Sequence, residues 1–395
     1  MKKIVLTSLF MTFYLVMTAV EVTDISKLDL ERVEAIYTPE SIAQLQIKLT
    51  TLKKPISAAG ARCSQGLHIA AHNGTMIDLV KLNHIVNFNK NKKQITIEAG
   101  AIWRNIQEYI DRYNLSLAAI QSYNDFSVGG SLSVNVHGRD IHYGSLITMV
   151  ESIDLLIASG DIVHASRTEN LDAFYGAIGG YGALGIIVRA TINLVDNSVL
   201  ECKVEQVSLD YYQEYFLNFI KNNQFIHLHN ANIFPPDLNR VAATSWQKTD
   251  KPLTNKDRLH KQTKLHRFSY MVGEQLVRRS KLAKKIRKKI EWKNFNTPCV
   301  VWRNYEMSKS ISQHEPLTRF PTTTILQEYF IPIEQYHTFT KQFKAIIKKH
   351  NINMLNISIR HVPADKETVL AYAPQESFAF VCYINVFNTK KRAKK

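Results

Sequence analysis

Cysteine is sparse in this chain: Cys63, Cys202, Cys299 and Cys382 are four residues in 395, far apart and without a CxxC pair. That excludes a readable zinc ribbon, and no disulfide framework follows from the spacing. Two histidine pairs have ligand-like spacing, His68 with His72 and His227 with His229, but no acidic residue completes a familiar metal motif, so no metal site is expected. Acidic residues are few beside basic ones, 34 against 50, and the formal charge is +16. Charged residues make up only 21% and apolar ones 45%, a balance that excludes a disordered chain. The length exceeds one ordinary core and fits two domains.

The positive charge is local. Residues 251–293 hold 15 Lys and Arg against 3 Asp and Glu, residues 390–395 add five cations, and the remainder is near neutral. Nucleic-acid-binding proteins spread charge over the fold more often, so no nucleic-acid partner is expected. Within the basic stretch, Leu282, Ile286 and Ile290 repeat every fourth residue among Lys284, Lys285, Lys288 and Lys289. This reads as an amphipathic helix, either a solvated helix of the second domain or a flank for an anionic membrane surface. At the N-terminus, Lys2 and Lys3 precede residues 4–20, which carry no charge. Residues 1–22 are therefore expected to be a signal peptide or N-terminal membrane anchor, with the body exported to the periplasmic or extracellular face.

Helix and strand signals are mixed. Residues 36–53 read as a helix introduced by Thr38 and Pro39, and residues 56–59 as a strand. Further strand signals fall at 75–79 and at 94–99, where Ile95 and Ile97 alternate with Thr96 and Glu98. Ile102, Ile106 and Ile110 mark a helix, and residues 154–158 and 162–165 flank Ser159 and Gly160 as a hairpin. A literal GxGxxG occurs at Gly180, Gly182 and Gly185, but a helical segment precedes it and an alternating strand follows, the reverse of a dinucleotide-binding Rossmann turn.

Small residues recur where a flat ligand could meet backbone. Residues 60–66 read GARCSQG, residues 128–131 read VGGS, and Asn135, His137, Arg139 and His142 crowd donors and a proton carrier into one short segment. A flavin is a natural occupant, and ordinary tight turns are the alternative. In this order and spacing, GARCSQG, VGGSL, NVHGR and AIGGYGALGIIVRATI resemble the PCMH-type FAD-binding domain of the vanillyl-alcohol oxidase superfamily. The nearest branch holds sugar-alcohol and aldonolactone oxidases and decaprenylphosphoryl-ribose oxidase.

The resemblance implies an α+β chain, with a two-subdomain FAD-binding domain over residues 23–197, a substrate domain over 198–389 and a basic tail at 390–395. It implies that Gly60, Ala61, Arg62, Cys63, Ser64, Gln65 and Gly66 wrap the pyrophosphate. Val128, Gly129, Gly130, Ser131, Asn135, Val136, His137 and Gly138 would line the flavin, and Gly185, Ile186 and Ile187 the adenine. Cys63 stands where many sugar-alcohol oxidases carry a flavin-bonding histidine, which implies non-covalent FAD, with a cysteinyl link through Cys63 as the alternative. In the substrate domain, the resemblance points Gln327, Tyr329 and Arg360 at a small-molecule hydroxyl substrate. Hydride would pass to flavin N5 while His137 or His361 takes the hydroxyl proton, and oxygen or another acceptor would reoxidise the flavin. Chains of that family run on beyond the strand at residues 377–383 and draw a pocket wall from the continuation. A flavin-binding chain without turnover, or a basic surface-binding protein of the same fold, is therefore the alternative to an oxidoreductase.

Overall fold

The computed structural model describes residues 20–388 apart from 262, 296, 312–317 and 319–320. The charge-free segment through residue 19 and the tail at 390–395 lie outside the described residues. Val20–Val22 is a strand paired antiparallel with Glu31–Val33. Among the described residues, no helix is long and apolar enough to cross a membrane. The chain is α+β.

A small parallel sheet comes first, in the order Ala35–Tyr37, Thr75–Asp78, Ile56–Ala59. Helix Ile42–Leu49 crosses between its outer strands. Ile42, Leu45 and Leu49 are buried at helical spacing against Ile77, Leu79, Leu82 and Val188. The helix is shorter than the expected span of 36–53. Ile36 and Tyr37 belong to a strand, and the first turn is capped where the Gln44 N–H donates to Ser41 Oγ.

The next sheet is antiparallel between all neighbours, in the order Ile162–Ser166, Val150–Leu156, Ile186–Asp196, Gln94–Glu98, Ile85–Asn89. The expected hairpin is present, with Ile162 opposite Leu156. Ile95 and Ile97 point into the core, as their alternation requires. Helix Trp103–Ile110 buries Trp103, Ile106 and Ile110, while Ile102 is its cap rather than a helical residue. The three spaced glycines lie between helix Leu171–Ala177 and strand Ile186–Asp196, which is antiparallel on both sides, so the Rossmann unit is absent.

From Val199 on, the chain builds a seven-stranded antiparallel sheet. Its order is Cys299–Trp302, Val199–Ser208, Arg240–Lys248, Ile226–Ile233, Met354–Val362, Ser377–Phe387, Thr322–Pro332. One face packs Ile357, Ile359, Phe378, Phe380 and Cys382 against Tyr212, Phe216 and helix Tyr336–Lys349. The opposite face carries Val204, Asn230, Thr244, Ser358, Arg360 and Val381 towards the first half of the chain. The outer edge at Cys299–Trp302 is covered, because Thr254 N donates to Val300 O and Val300 N donates to Thr254 Oγ1, each at 2.9 Å.

One segment stitches the two large sheets together. Asp140 forms a bridge with Leu228, Ile141 N donates to His227 O, and His229 N donates to Arg139 O. At the seam, Arg303 Nη2 donates to Asp140 Oδ2 at 2.8 Å and to Ala118 O at 2.7 Å, with the two side chains only 3% and 1% exposed. The same carboxylate accepts the N–H groups of His142 and Tyr143. Next door, Asn304 Nδ2 donates to Asp111 Oδ1 and Leu115 O.

Removing one member of such a pair leaves the other charge buried alone. Asp140→Ala is expected to destabilise the protein by about 3–5 kcal/mol in urea unfolding, and pairing it with Arg303→Met should recover part of that loss. Equal stability of the single variant and the wild type would show that the seam holds without the pair. A pH effect comes from His229, which is buried between Tyr212 Oη and Ser245 Oγ. Burial holds its imidazole neutral down to about 3, from an ordinary 6.5. Its contribution is therefore complete above pH 6.5 and is lost as pH falls towards 3, at up to about 1.4 kcal/mol per pH unit. His229→Gln should lack that slope in denaturation curves taken across the same range.

Candidate cofactor and substrate cleft

The strand Ile56–Ala59 runs out into the turn at residues 60–66. A Cβ on Gly60 would sit 2.0 Å from Ser127 Oγ, so only glycine lets this turn close on the neighbouring helix. Arg62 adopts a positive φ and its side chain reaches Asp78 Oδ2 at 2.5 Å, which fixes the turn from behind. Among the described residues, the main-chain N–H groups of Ser64 and Gln65 meet no acceptor, as an anion nest requires. Gln65 Oε1 instead accepts Leu326 N at 2.8 Å, tying the turn to the edge of the seven-stranded sheet. Cys63 Sγ lies 3.4 Å from Ala61 O on the cleft side.

Helix Val128–Ser133 supplies the second wall. Gly129 packs so closely on Ala99 that a Cβ would lie 2.8 Å from the alanine methyl. Gly130 is exposed on the cleft, and Ser131 accepts Trp103 Nε1 at 3.0 Å. Gly185, Ile186 and Ile187 close the far end. The three separated turns and their neighbours thus border one cleft of about 1800 Å³, whose other side is the free face of the seven-stranded sheet.

Four residues expected at the cofactor do not line the cleft. Val128 is fully buried in the core, and Gly138 is glycine because a Cβ would lie 2.3 Å from Ile120 O. Asn135 spends its amide on Ser145, Asp365 and Ile147 N, so it organises the loop. Gly66 serves the turn with φ +94°. Gly60, Ala61, Arg62, Cys63, Ser64, Gln65, Gly129, Gly130, Ser131, Val136 and His137 do border it.

At the substrate end the expected residues divide. Residues alternate along Thr322–Pro332, so the Gln327 and Tyr329 side chains lie on the face opposite Glu328, although Gln327 still borders the cleft and Tyr329 does not. Tyr329 packs on Phe339 and Phe343, with ring centroids 6.0 and 6.3 Å away. The Gln327 side chain is exposed and donates to the Glu328 carbonyl. Glu328 takes the inward place, opposite Val381 and diagonal to Arg360. His361 also faces away, held by Glu376 Oε1 at 2.8 Å and packed at a tilt on Phe216.

Arg360 does reach the cleft. Its Nη2 donates to Ser122 Oγ at 3.0 Å, its Nε has no partner, and Tyr123 and Tyr383 lie beside it. Burial pushes the Tyr123 phenol up to about 12. His137 is 5% exposed between Phe330 and Tyr372, with neither ring nitrogen in a hydrogen bond. Its Nε2 lies 3.4 Å from Glu328 Oε1, an ion-pair separation rather than a good hydrogen bond. Burial works to raise the Glu328 carboxyl, but His137 and Arg360 outweigh it and hold it below its ordinary value. A base on the loop that follows helix Val128–Ser133 therefore converges with a carboxylate and a cation on the seven-stranded sheet. Among the described residues, no three His, Cys, Asp or Glu side chains are placed to hold a metal ion.

Residues 33–166 match the family profile described as FAD binding domain. This part of the chain is an FAD-binding domain. Its residues fit the cofactor, with unpaired N–H groups at a glycine turn, a second glycine wall without side chains, and a cleft larger than the roughly 300–1,000 Å³ of ordinary ligand pockets. The chain is similar to L-gulonolactone oxidase of Mus musculus, 30% identical over 165 residues, which is 41% of this chain and 37% of that protein. It is similar to D-arabinono-1,4-lactone oxidase of Yarrowia lipolytica, 31% identical over 166 residues, 40% of this chain and 31% of that one. Decaprenylphosphoryl-beta-D-ribose oxidase of Mycolicibacterium smegmatis is 28% identical over 141 residues, 35% of this chain and 31% of its own. Each match spans between 31% and 37% of the relative's length.

If Gly130 forms the cofactor wall of the FAD-binding domain, a side chain there displaces the cofactor at the cost of a small shift of the Ser127 hydroxyl, 2.9 Å from where its Cβ would sit. Gly130→Leu is expected to purify without the flavin absorbance bands and with a melting temperature close to that of wild-type protein stripped of flavin. A full flavin complement in the variant would remove this helix from the site.

Proposed function

We propose that the protein oxidises a CH–OH group of a small sugar-like, polyol or aldonolactone substrate. The observation that carries this reading is one continuous cleft in which the FAD-binding turns face Arg360, Glu328 and His137. The relatives' names support the substrate class, since two of those compared are lactone oxidases. FAD, held non-covalently by the turn at Gly60–Gln65 and the Gly129–Ser131 wall, supplies a two-electron acceptor when bound.

The protein's own groups do the rest. His137, whose ring nitrogens make no hydrogen bond, accepts the proton of the substrate hydroxyl. Glu328, ionised at neutral pH, stabilises the imidazolium that results and keeps the ring oriented. Arg360 holds a substrate oxygen with a fixed cation, and its burial strengthens that interaction relative to water. Tyr372 and Phe330 flank His137 and exclude water from it.

Purified protein should be yellow, and anaerobic addition of an aldonolactone or polyol should bleach it. Readmitting air then reports whether oxygen serves as the acceptor. Yellow protein that no sugar-like alcohol bleaches would reduce the reading to a flavin-binding chain without turnover. His137→Gln is expected to lower kcat by roughly 10²–10⁴-fold with flavin content unchanged. Arg360→Ala should mainly raise KM and lower kcat/KM. Wild-type turnover in the His137 variant would assign the proton to another group.

A further inference from the structure

The basic segment folds as a hairpin of two helices, Lys264–Arg279 and Lys281–Phe295, and its cations divide sharply between two faces. Inward ones are spent on the seven-stranded sheet. Arg278 donates to Asn385 Oδ1 and Thr322 O, Lys284 to Asn353 Oδ1 and Met354 O, and Lys288 pairs with Asp237. Lys284 and Lys288, read from the sequence as part of the polar face, are therefore structural.

The outward face of the second helix has a different composition. Leu282, Ile286 and Ile290 form a row 66%, 49% and 53% exposed. Lys281, Lys285, Lys289 and Lys293 run alongside, all exposed, and none pairs with a carboxylate among the described residues. The first helix adds Leu265, Phe268 and Leu276, at 79%, 56% and 58% exposure. Three aliphatic side chains in register with four unpaired lysines have no use for each other in water. They match a surface that is apolar a few ångströms down and negative on top.

We propose that this hairpin docks the protein on an anionic phospholipid bilayer, with the aliphatic row entering the headgroup boundary and the lysines meeting the lipid phosphates. A polyanion such as nucleic acid would use the lysines but leave the exposed aliphatic row without a partner. The hairpin's inner face carries Tyr270, Glu274 and Phe295 at the border of the cleft, so docking brings the cleft close to the membrane.

The test is vesicle flotation of the full chain, read independently of flavin reduction. Wild-type protein should float with vesicles of phosphatidylcholine containing phosphatidylglycerol and stay behind with phosphatidylcholine alone. The variant K281Q/K285Q/K289Q/K293Q should partition on the order of 100- to 1000-fold less, since each lysine near an anionic surface contributes about fivefold. The corresponding arginine variant should bind as the wild type does. L282S/I286S/I290S should also lose binding, with an unchanged melting temperature confirming that these exposed positions leave the fold intact. Equal flotation with neutral lipid, or full binding by the glutamine variant, overturns the proposal. So does full binding by the serine variant together with stripping by duplex DNA, which would make the face a polyanion site.

Discussion

The buried contact between Arg303 and Asp140 is the constraint that makes a cleft out of two sheets. Neither charge has water to retreat to, so each is held by the other and by backbone. Arg303 also meets the carbonyl of Ala118, while Asp140 takes the N–H groups of His142 and Tyr143. The loop that carries Asp140 also carries His137 and Arg139. Pinning it to the seam therefore sets how far His137 stands from Glu328 on the opposite sheet. Arg139 strengthens the seam by pairing with the buried Glu306 at 2.7 Å and lying over the Trp246 ring. Misplacing this loop by an ångström would separate groups that must converge on one carbon.

Much of the first half was legible in the sequence because its signals are local. Glycine at position 60 is demanded by a contact with Ser127, and the GARCSQG turn advertises it without any knowledge of the fold. Alternation at Ile95 and Ile97 indicated a half-buried strand, and the strand following Gly185 ruled out a Rossmann turn. Small residues also misled, since Gly138 and Gly66 look like ligand contacts in sequence and are packing and turn residues in space. A glycine required by a close approach looks the same whether a carbonyl or a cofactor does the approaching.

The substrate end was less legible because it depends on pairing between strands distant in sequence. Period two states that Gln327 and Tyr329 lie together and Glu328 apart, but only the partner strand decides which set faces the cleft. Strand Ser377–Phe387 puts Phe378 and Phe380 against helix Tyr336–Lys349, and that choice carries Tyr329 with it. Glu328 consequently became the inward group. The lysines of the helical hairpin show the same limit: composition gave a basic helix, whereas burial separates Lys284 from Lys285.

The hydrogen bond from Leu326 N to Gln65 has a bearing on solubility. An open sheet margin offers unpaired amides to any passing chain and invites stacking into aggregates. Thr322–Pro332 forms one margin of the seven-stranded sheet, and the phosphate-side turn caps it through Gln65, while Thr254 seals the other margin at Val300. A substitution at Gln65 would thus uncover an adhesive border as well as loosen the cofactor turn, coupling loss of flavin to self-association.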